Sequence, residues 1–315
     1  MADVFVTGGT GFIGAEAVRA LVAAGHTVRA LARSTESETQ VRALGGQPVA
    51  GDLAQPGPWQ EVAARAAWVV HLAQPLAFGG RVTRRRAEAY RDGRLTMDRN
   101  LLDPLRPGVV ERIVYVAGTS YYGNVGTELR DESVTPRPRG WGPYIAPALE
   151  RLAGDVTRGL PIVTAFPGWV YGDGSWFRDY VLRPLKRGTR LTQLGGESRW
   201  ASPIHVGDCA RALVHLCAHG QPGENYFVVD DRPTQMRELP RLCARTLNVA
   251  LRTRQVPVWL ARLLLGPVVT DSLQSDTVLS NARLKALGFR LEHPTIDEGI
   301  PQVLATARPF ADKNV

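Results

Sequence analysis

The sequence predicts an α/β protein in which helices cover both faces of a doubly wound parallel sheet. Three observations support this fold class. Over about the first 170 residues, short apolar strands alternate with helical stretches, as in parallel sheets whose strands are joined by helices. A glycine-rich segment, 7–14, separates the first strand from the first helix. Beyond about residue 172 the alternation loosens, and glycine and proline become frequent.

The elements follow in chain order from the periodicity of the apolar residues. Strands are predicted at 3–7, 27–32, 47–51, 67–73, 111–117 and 161–166. Helices are predicted near 11–24, 37–45, 58–65, 84–103 and 144–159. Further helices are expected near 205–218 and 234–247, with a short strand at 226–229. We therefore expect a first domain at 1–172 and a smaller region at 173–315 that is partly interleaved with it.

The segment Thr7-Gly8-Gly9-Thr10-Gly11-Phe12-Ile13-Gly14 has the order strand, glycine loop, helix, which a dinucleotide-binding fingerprint requires. Gly8 suits the tight turn, Gly11 lets the backbone approach a pyrophosphate, and Gly14 lets the helix lie against the strand. Backbone N–H groups of the first helical turn then face the anion. This makes 1–172 a Rossmann-type domain. Its loop is expected to bind cofactor through Gly8, Thr10, Gly11, Phe12 and Ile13.

The end of the second strand indicates which dinucleotide to expect. NAD sites usually carry an acidic residue there, which accepts a hydrogen bond from the ribose 2′-hydroxyl. Ala32 holds that position, and Arg33 and Ser34 follow it. A guanidinium can bind a 2′-phosphate through two parallel hydrogen bonds, and a serine hydroxyl can add another. We therefore predict NADPH/NADP as cofactor; the alternative is that Arg33 is one more surface arginine in an arginine-rich chain.

Composition restricts the class of partner. The formal net charge is +8, and 35 of the 38 basic residues are arginine. The cluster of Arg81 and 84–86 lacks the interleaved aromatic residues of a nucleic-acid-binding motif, so no nucleic-acid partner is expected. No run of about 18 apolar residues occurs, so no membrane partner is expected either. The expected partner is a small-molecule substrate, and the oligomeric state stays open.

The cysteines and the N-terminus favour a cytoplasmic protein. Cys209, Cys217 and Cys243 are odd in number and lack the spacing of metal ligands, so they are expected to be reduced, with no metal site. The first residues enter a strand directly, without the basic and apolar segments of a secretory signal.

Four further segments resemble the extended short-chain dehydrogenase/reductase family, which contains nucleotide-sugar epimerases, dehydratases and ketoreductases. Gly51-Asp52-Leu53 is similar to the element beside the adenine, and His71-Leu72-Ala73 to the strand along the middle of the cofactor. The stretch 113–123 is similar to the strand that carries the catalytic serine or threonine. The stretch 167–172, Pro-Gly-Trp-Val-Tyr-Gly, is similar to the segment near the nicotinamide amide.

The resemblance runs nearly end to end. His205-Val206-Gly207-Asp208 and Ser280-Asn281-Ala282-Arg283 resemble two markers of the family's C-terminal half. His205 and Asp208 could form an acid–base pair, but the resemblance favours a structural role for them. It also implies further cofactor-binding residues, namely Asp52, Leu53, Leu72, Ala73, Gln74, Pro167, Gly168 and Val170.

The catalytic positions depart from the family's Tyr-x-x-x-Lys pattern. In the family, the lysine cation lowers the pKa of the tyrosine, which can then exchange a proton near neutral pH. Tyr144 holds the tyrosine position, whereas Ala148 stands in the lysine position, and no lysine precedes Lys186. Arg94 stands where the family commonly has an asparagine. The usual relay is therefore not expected.

The serine position of the family falls on Gly118, with Thr119 and Ser120 beside it. Thr119 and Ser120 could bind a substrate oxygen, or they could be ordinary hydroxyls at a strand end. Tyr144 could donate a proton to a carbonyl, or it could only pack beside the nicotinamide. The candidate catalytic residues are accordingly Tyr144, Thr119 and Ser120.

The favoured function is an NADPH-dependent ketoreductase that works without the usual relay. Because it lacks the lysine, the chain resembles reductases of actinomycete aromatic-polyketide pathways. This resemblance implies that the substrate is an angucyclinone-like ketone in antibiotic biosynthesis. The proton would come from Tyr144, water or the substrate. The alternatives are a non-redox cyclase or lyase and a catalytically silent NADP(H)-sensing regulatory protein. Sugar epimerisation ranks lower, because it needs the strong base that the change to Ala148 removes.

Overall fold

The computed structural model describes residues 1–75 and 81–308. The strands are β1 (Asp3–Thr7), β2 (Thr27–Ala32), β3 (Gln47–Ala50), β4 (Trp68–His71), β5 (Arg112–Val116), β6 (Gly126–Arg130), β7 (Ile162–Pro167), β8 (Trp169–Tyr171), β9 (Leu191–Leu194), β10 (Trp200–Ala201), β11 (Pro203–His205), β12 (Asn225–Val228), β13 (Thr234–Gln235), β14 (Thr253–Val256) and β15 (Thr277–Leu279). The helices are α1 (Phe12–Ala23), α2 (Thr35–Ala43), α3 (Trp59–Arg65), α4 (Arg84–Leu102), α5 (Gly142–Thr157), α6 (Ser175–Phe177), α7 (Arg183–Lys186), α8 (Val206–His219), α9 (Glu238–Thr246), α10 (Val258–Leu265), α11 (Pro267–Leu273), α12 (Ala282–Ala286) and α13 (Ile296–Thr306).

Seven parallel strands form the central sheet, in the order β3-β2-β1-β4-β5-β7-β12. The predicted fold class is thereby confirmed, and all seven strands were predicted, six of them in the expected first domain. The seventh is β12, which the sequence analysis assigns to the C-terminal region and which pairs with β7 at the edge of the sheet. Its residues Tyr226, Phe227 and Val228 are fully buried, because helices cover this edge on both faces.

Two layers of helices enclose the sheet. On one face, α1, α2 and α8 contribute Val18, Val41 and Leu213 to one hydrophobic core. On the other face, α3 and α4 contribute Trp59 and Leu101 to a second core, together with residues of α5. The chain thus returns from the C-terminal half to supply both α8 and β12 to the layers around the sheet.

A third core lies outside the central layers. It joins the end of β8 to α7, α9 and α13 through residues such as Tyr171, Leu185, Leu239 and Ile300. The predicted boundary at residue 172 stays a prediction. None of the helices within 1–75 and 81–308 has the length and apolar character needed to cross a membrane.

Candidate functional site

The strand order reverses between β1 and β4, so the chain leaves these neighbouring strands in opposite directions. Such a switch point opens a crevice at the carboxyl ends of the strands. The glycine loop lies there. Gly8 has a φ of +71°, and a Cβ on it would lie 2.7 Å from the Ala73 backbone nitrogen. A Cβ on Gly14 would lie 2.0 Å from the Gly8 carbonyl oxygen. Both glycines are therefore required by close backbone contacts.

The N-terminus of α1 presents backbone donors to this crevice. Gly11 is the N-cap of α1 and provides no side-chain cap, and the first turn contains no acidic residue. The first N–H groups of the helix thus remain available to an anion such as a pyrophosphate. The ring of Phe12 lies under the loop after β8, where a Cβ on Gly174 would come within 2.6 Å of it.

Residues predicted to bind the adenosine end follow the adjacent strands β2 and β3. Arg33 is exposed, and its guanidinium makes no hydrogen bond with the described residues. The Ser34 hydroxyl caps α2 by accepting a hydrogen bond from the Ser37 N–H at 3.3 Å. Asp52 is exposed and accepts a hydrogen bond from the Ala54 N–H at 2.9 Å. Of these groups, only Arg33 carries a positive charge.

The predicted residues along the middle of the crevice lie after β4 and β7. The Ala73 N–H donates to the Thr7 hydroxyl at 3.3 Å, and the Gln74 side-chain oxygen accepts a hydrogen bond from Tyr90 at 3.2 Å. Gly168 lies so close to β10 and β11 that a Cβ would be 2.0 Å from the Ser202 carbonyl oxygen. Of the other predicted residues, Leu72 follows β4, Pro167 ends β7 and Val170 lies in β8, whereas Leu53 follows β3 and is buried in the second core.

Thr119 and Ser120 lie in a short 3₁₀ turn, Thr119–Tyr121, rather than at the end of a strand. Both are half-buried, and neither hydroxyl has a hydrogen-bond partner among the described residues. A Cβ built on Gly118 would lie 3.5 Å from Ser120 Oγ. The turn thus brings the Ser120 hydroxyl beside the place from which the family's catalytic hydroxyl would project.

Tyr144 occupies the first turn of α5 and is half-buried. It packs against the apolar cluster that contains Val82 and Val268, with the Trp141 ring edge-on at 6.5 Å. Within 1–75 and 81–308, no group hydrogen-bonds to its hydroxyl. Ala148, one turn later, is buried. The phenol therefore packs against apolar side chains, with the charge of Arg91 on α4 acting on it but with no ammonium at the position where the family has one.

A buried polar network beneath the crevice was missed by the sequence analysis. The Thr7 hydroxyl donates to His71 Nδ1 at 2.7 Å, and His71 Nε2 donates to Asp98 Oδ1 at 3.0 Å. The Tyr115 hydroxyl donates to Asp98 Oδ2 at 2.8 Å. Arg94 Nε donates to the Tyr115 hydroxyl at 2.8 Å and lies 3.2 Å from Asp98 Oδ1. The network links the ends of β1, β4 and β5 to α4.

Arg94 also binds two backbone carbonyls at the carboxyl edge of the sheet. Its Nη1 donates to the Ala73 oxygen at 2.9 Å and its Nη2 to the Val116 oxygen at 3.2 Å. Ala73 follows β4 and Val116 ends the neighbouring strand β5. The guanidinium therefore fixes the spacing of the two strand ends. The sequence signal was present, because Arg94 and Asp98 are four residues apart on one helix.

The charges of this network compensate one another. Burial alone would raise the pKa of Asp98, but the Arg94 charge and the hydrogen bonds from His71 and Tyr115 lower it. Burial and the Arg94 charge lower the pKa of His71. The network therefore holds an Arg⁺–Asp⁻ pair with a neutral imidazole.

His205, Asp208 and His293 form the only group in the described part of the chain whose atoms lie close enough to ligate a metal. Most of their polar atoms already have partners. His205 Nδ1 accepts from the Gly207 N–H, and Nε2 donates to Gln302 at 3.0 Å. Asp208 accepts from the N–H and the ring of His293. Burial lowers the pKa of His205 to about 4. These contacts favour the structural role that the resemblance implies.

Asp230, just after β12, gives a pH-dependent prediction. Its Oδ2 is buried and has no partner among the described residues, and burial raises the pKa of the carboxyl to about 8. Because the folded protein binds this proton more tightly than the unfolded chain does, stability falls as the pH rises from about 4 to 8. Asp230→Asn should therefore be more stable than the wild type at pH 9, by up to about 5 kcal/mol for a shift of about four pKa units, with little difference at pH 4. Urea denaturation at both pH values measures this; an equal difference at both would contradict it.

Comparisons with known proteins agree with this geometry. A family model described as the NAD dependent epimerase/dehydratase family matches residues 4–229. The 4-hydroxy-2-methyl-3-oxo-4-farnesyl-3,4-dihydroquinoline-1-oxide ketoreductase of Stigmatella aurantiaca is 28% identical over 263 residues, covering 82% of this chain and 77% of that protein. The UDP-glucose 4-epimerase of Thermus thermophilus in complex with NAD has a TM-score of 0.76 and 24% identity, covering 96% and 98%. Human epimerase family protein SDR39U1 with NADPH has a TM-score of 0.78 and 21% identity, covering 96% and 99%.

Proposed function

The chain belongs to the NAD dependent epimerase/dehydratase family, and from this premise we propose that it is an NADPH-dependent ketoreductase. Family membership, together with relatives named as reductases, makes it a nicotinamide-dependent oxidoreductase. The proposed substrate is a ketone conjugated to an aromatic or quinone-like ring system, as in aromatic polyketides of antibiotic pathways. The relative from Stigmatella aurantiaca, named for a ketone on a quinoline ring, supports this substrate class.

One observation supports the proposal: the Tyr144 hydroxyl, in the first turn of α5, has no hydrogen-bond partner among the described residues, while Ala148 stands where the family has its lysine. The site therefore lacks the lysine cation that, in the family, assists the tyrosine in accepting a proton. Abstraction of a proton from a sugar hydroxyl, which epimerases and dehydratases need, is thereby disfavoured. Donation of a proton or hydrogen bond to a carbonyl remains possible, because a neutral phenol is a donor.

Of the reactions considered, reduction of a conjugated ketone requires the least acid–base catalysis from such a site. When bound, NADPH supplies the hydride that adds to the carbonyl carbon. The Ser120 and Thr119 hydroxyls would hold the carbonyl oxygen, and Tyr144, water or a hydroxyl of the substrate would give that oxygen its proton. Conjugation delocalises charge in the substrate, so a strong acid is not required. The protein contributes mainly orientation.

The residues of the crevice fit the proposed cofactor. The loop of Gly8 and Gly11 and the uncapped N-terminus of α1 would hold the pyrophosphate. Arg33 would bind the 2′-phosphate, with Asp52 and Leu53 beside the adenine. The segments Leu72–Gln74 and Pro167–Val170 would border the nicotinamide half.

Replacing Tyr144 by phenylalanine tests its role as proton donor. We expect kcat to fall about a hundredfold, which is typical for the loss of a general acid, while the KM for NADPH stays unchanged. Tyr180→Phe is the matched control, because Tyr180 is exposed on a segment that packs against α9 and β9. A fall of less than about fivefold, measured by steady-state kinetics, would instead assign the proton to water or to the substrate.

Replacing Arg33 by alanine tests the choice of cofactor. Loss of charge-assisted hydrogen bonds to a phosphate costs about 1.5–3 kcal/mol, so the Kd for NADPH should rise ten- to a hundredfold while that for NADH hardly changes. Nicotinamide fluorescence titrations measure both constants. Arg42→Ala, on the exposed surface of α2, serves as control. Equal losses for the two cofactors would refute the NADPH assignment.

The proposed activity itself is tested by mixing the protein with NADPH and a panel of aromatic polyketide ketones. Consumption of NADPH at its absorbance band, with formation of the alcohol, is the expected result. Conversion of a substrate without net change in NADPH would favour a cyclase or lyase. Tight binding of both cofactor forms with no conversion of any ketone would favour an NADP(H)-sensing role.

A further inference from the structure

Helix α10 exposes an apolar surface that the proposed reaction does not use. Its sequence is Val-Trp-Leu-Ala-Arg-Leu-Leu-Leu, and of these residues only Ala261 is buried. Trp259 is 69% exposed, and Leu263 and Leu264 are each 57% exposed. A helix that is apolar nearly all round is normally buried. We call the exposed side chains of Trp259, Leu263, Leu264 and Leu265 the α10 face.

Arginines border this face. Residues 249–266 contain three arginines and residues 81–86 contain four, and neither segment has an acidic residue. The two segments are joined directly, since the Val82 N–H donates to the Leu265 carbonyl oxygen at 2.8 Å. Arg81, Arg84 and Arg85 are exposed. We call these three the arginine border.

We propose that the α10 face and the arginine border dock the protein reversibly on the surface of an anionic phospholipid bilayer. Apolar side chains of a surface helix can enter the boundary between headgroups and acyl chains, while arginines bind the anionic headgroups. Tryptophan is enriched at that boundary. The sequence analysis expects no membrane partner because no segment can span a bilayer, but surface docking requires no span.

Charge favours this occupant over a second copy of the chain. A two-fold symmetric contact through the α10 face would place one arginine border near the other, and the like charges would repel. An anionic bilayer instead provides both the apolar interior and the complementary charge. The location also suits an apolar substrate, because Val82 and Val268, beside α10, belong to the cluster against which Tyr144 packs.

Vesicle flotation of the full chain tests the docking. We expect binding to vesicles of phosphatidylcholine with 30% phosphatidylglycerol (about one anionic lipid in three), little binding to phosphatidylcholine alone, and weakening in high salt. Leu263→Glu/Leu264→Glu should lower the affinity at least tenfold, and Arg84→Gln/Arg85→Gln should do so by a similar factor. Thermal melting confirms that each variant folds.

Two matched control variants test whether loss of vesicle binding is specific to the α10 face and the arginine border. Leu129→Glu changes an equally exposed leucine on β6. Arg65→Gln/Arg106→Gln removes two exposed arginines near the far end of α4, about 28 Å from Arg84. Both should bind vesicles like the wild type.

Three outcomes would overturn the proposal: no binding to the anionic vesicles, equal binding by the α10 variants and the controls, or self-association that Leu263→Glu/Leu264→Glu abolishes. The last outcome would assign the face to a second copy. None of these measurements depends on ketone reduction, so failure of the docking and failure of the proposed function are distinguishable.

Discussion

Replacing Arg94 by methionine is expected to lower the free energy of unfolding by about 3–5 kcal/mol. Arg94 is 3% exposed, and methionine fills a similar volume without the charge. Removal of the guanidinium leaves the Asp98 carboxylate buried with two neutral donors, His71 and Tyr115, and it frees the carbonyls of Ala73 and Val116. An uncompensated buried charge is the main cost. Urea denaturation followed by circular dichroism measures it.

A double-mutant cycle identifies the cause of this loss. Asp98→Asn should lower the free energy of unfolding by less in the Arg94→Met background than in the wild type. The reason is that the Asp98 carboxylate is already unpaired in that background. Arg99→Met, at an exposed position of the same helix, should change stability by no more than about 0.5 kcal/mol. A loss below about 1 kcal/mol for Arg94→Met would show that the buried pair does not stabilise the ends of β4 and β5.

Replacing Gly14 by alanine is expected to weaken NADPH binding a hundredfold or more. The new Cβ would lie 2.0 Å from the Gly8 carbonyl oxygen and 2.8 Å from its carbon. These are backbone atoms, so α1 and the glycine loop must separate. Loss of two N–H contacts to phosphate, at about 1.5 kcal/mol each, amounts to about a hundredfold. Fluorescence titration with NADPH measures the affinity.

The matched control is Gly154→Ala in α5, where a Cβ would meet no atom within 4 Å. It should bind NADPH normally and gain about 0.5–1 kcal/mol of stability from the better helix propensity of alanine. NADPH should raise the melting temperature of the control but not of Gly14→Ala. Normal binding by Gly14→Ala would mean that the loop does not hold the pyrophosphate.

Local patterns in the sequence predicted most of the elements around the crevice. The helix predicted at 11–24 is α1, Phe12–Ala23, and that at 84–103 is α4, Arg84–Leu102. Both carry an apolar stripe or a capping signal that depends only on neighbouring residues. The glycine loop was predictable for the same reason, since its turn and its helix start are encoded within eight residues.

Other features could not be predicted from local sequence patterns. Thr119 and Ser120 were expected near a strand end, but the chain turns there into a 3₁₀ segment, and the Ser120 carbonyl oxygen accepts a hydrogen bond from the Arg139 N–H. The edge position of β12 depends on the return of the chain through α8. These contacts join segments far apart in sequence, so no local periodicity reports them.

By itself, the sequence determined the parallel α/β fold, the glycine loop and the absence of the relay lysine, because glycine geometry and residue chemistry act locally. Only the tertiary structure decided that Arg94, Asp98 and His71 share one buried network. The reason is that charges compensate one another when they are close in three dimensions, whatever their separation along the chain. Only the tertiary structure likewise showed α10 to be exposed. Its composition alone would equally suit a buried helix, and burial is determined by what packs against a surface.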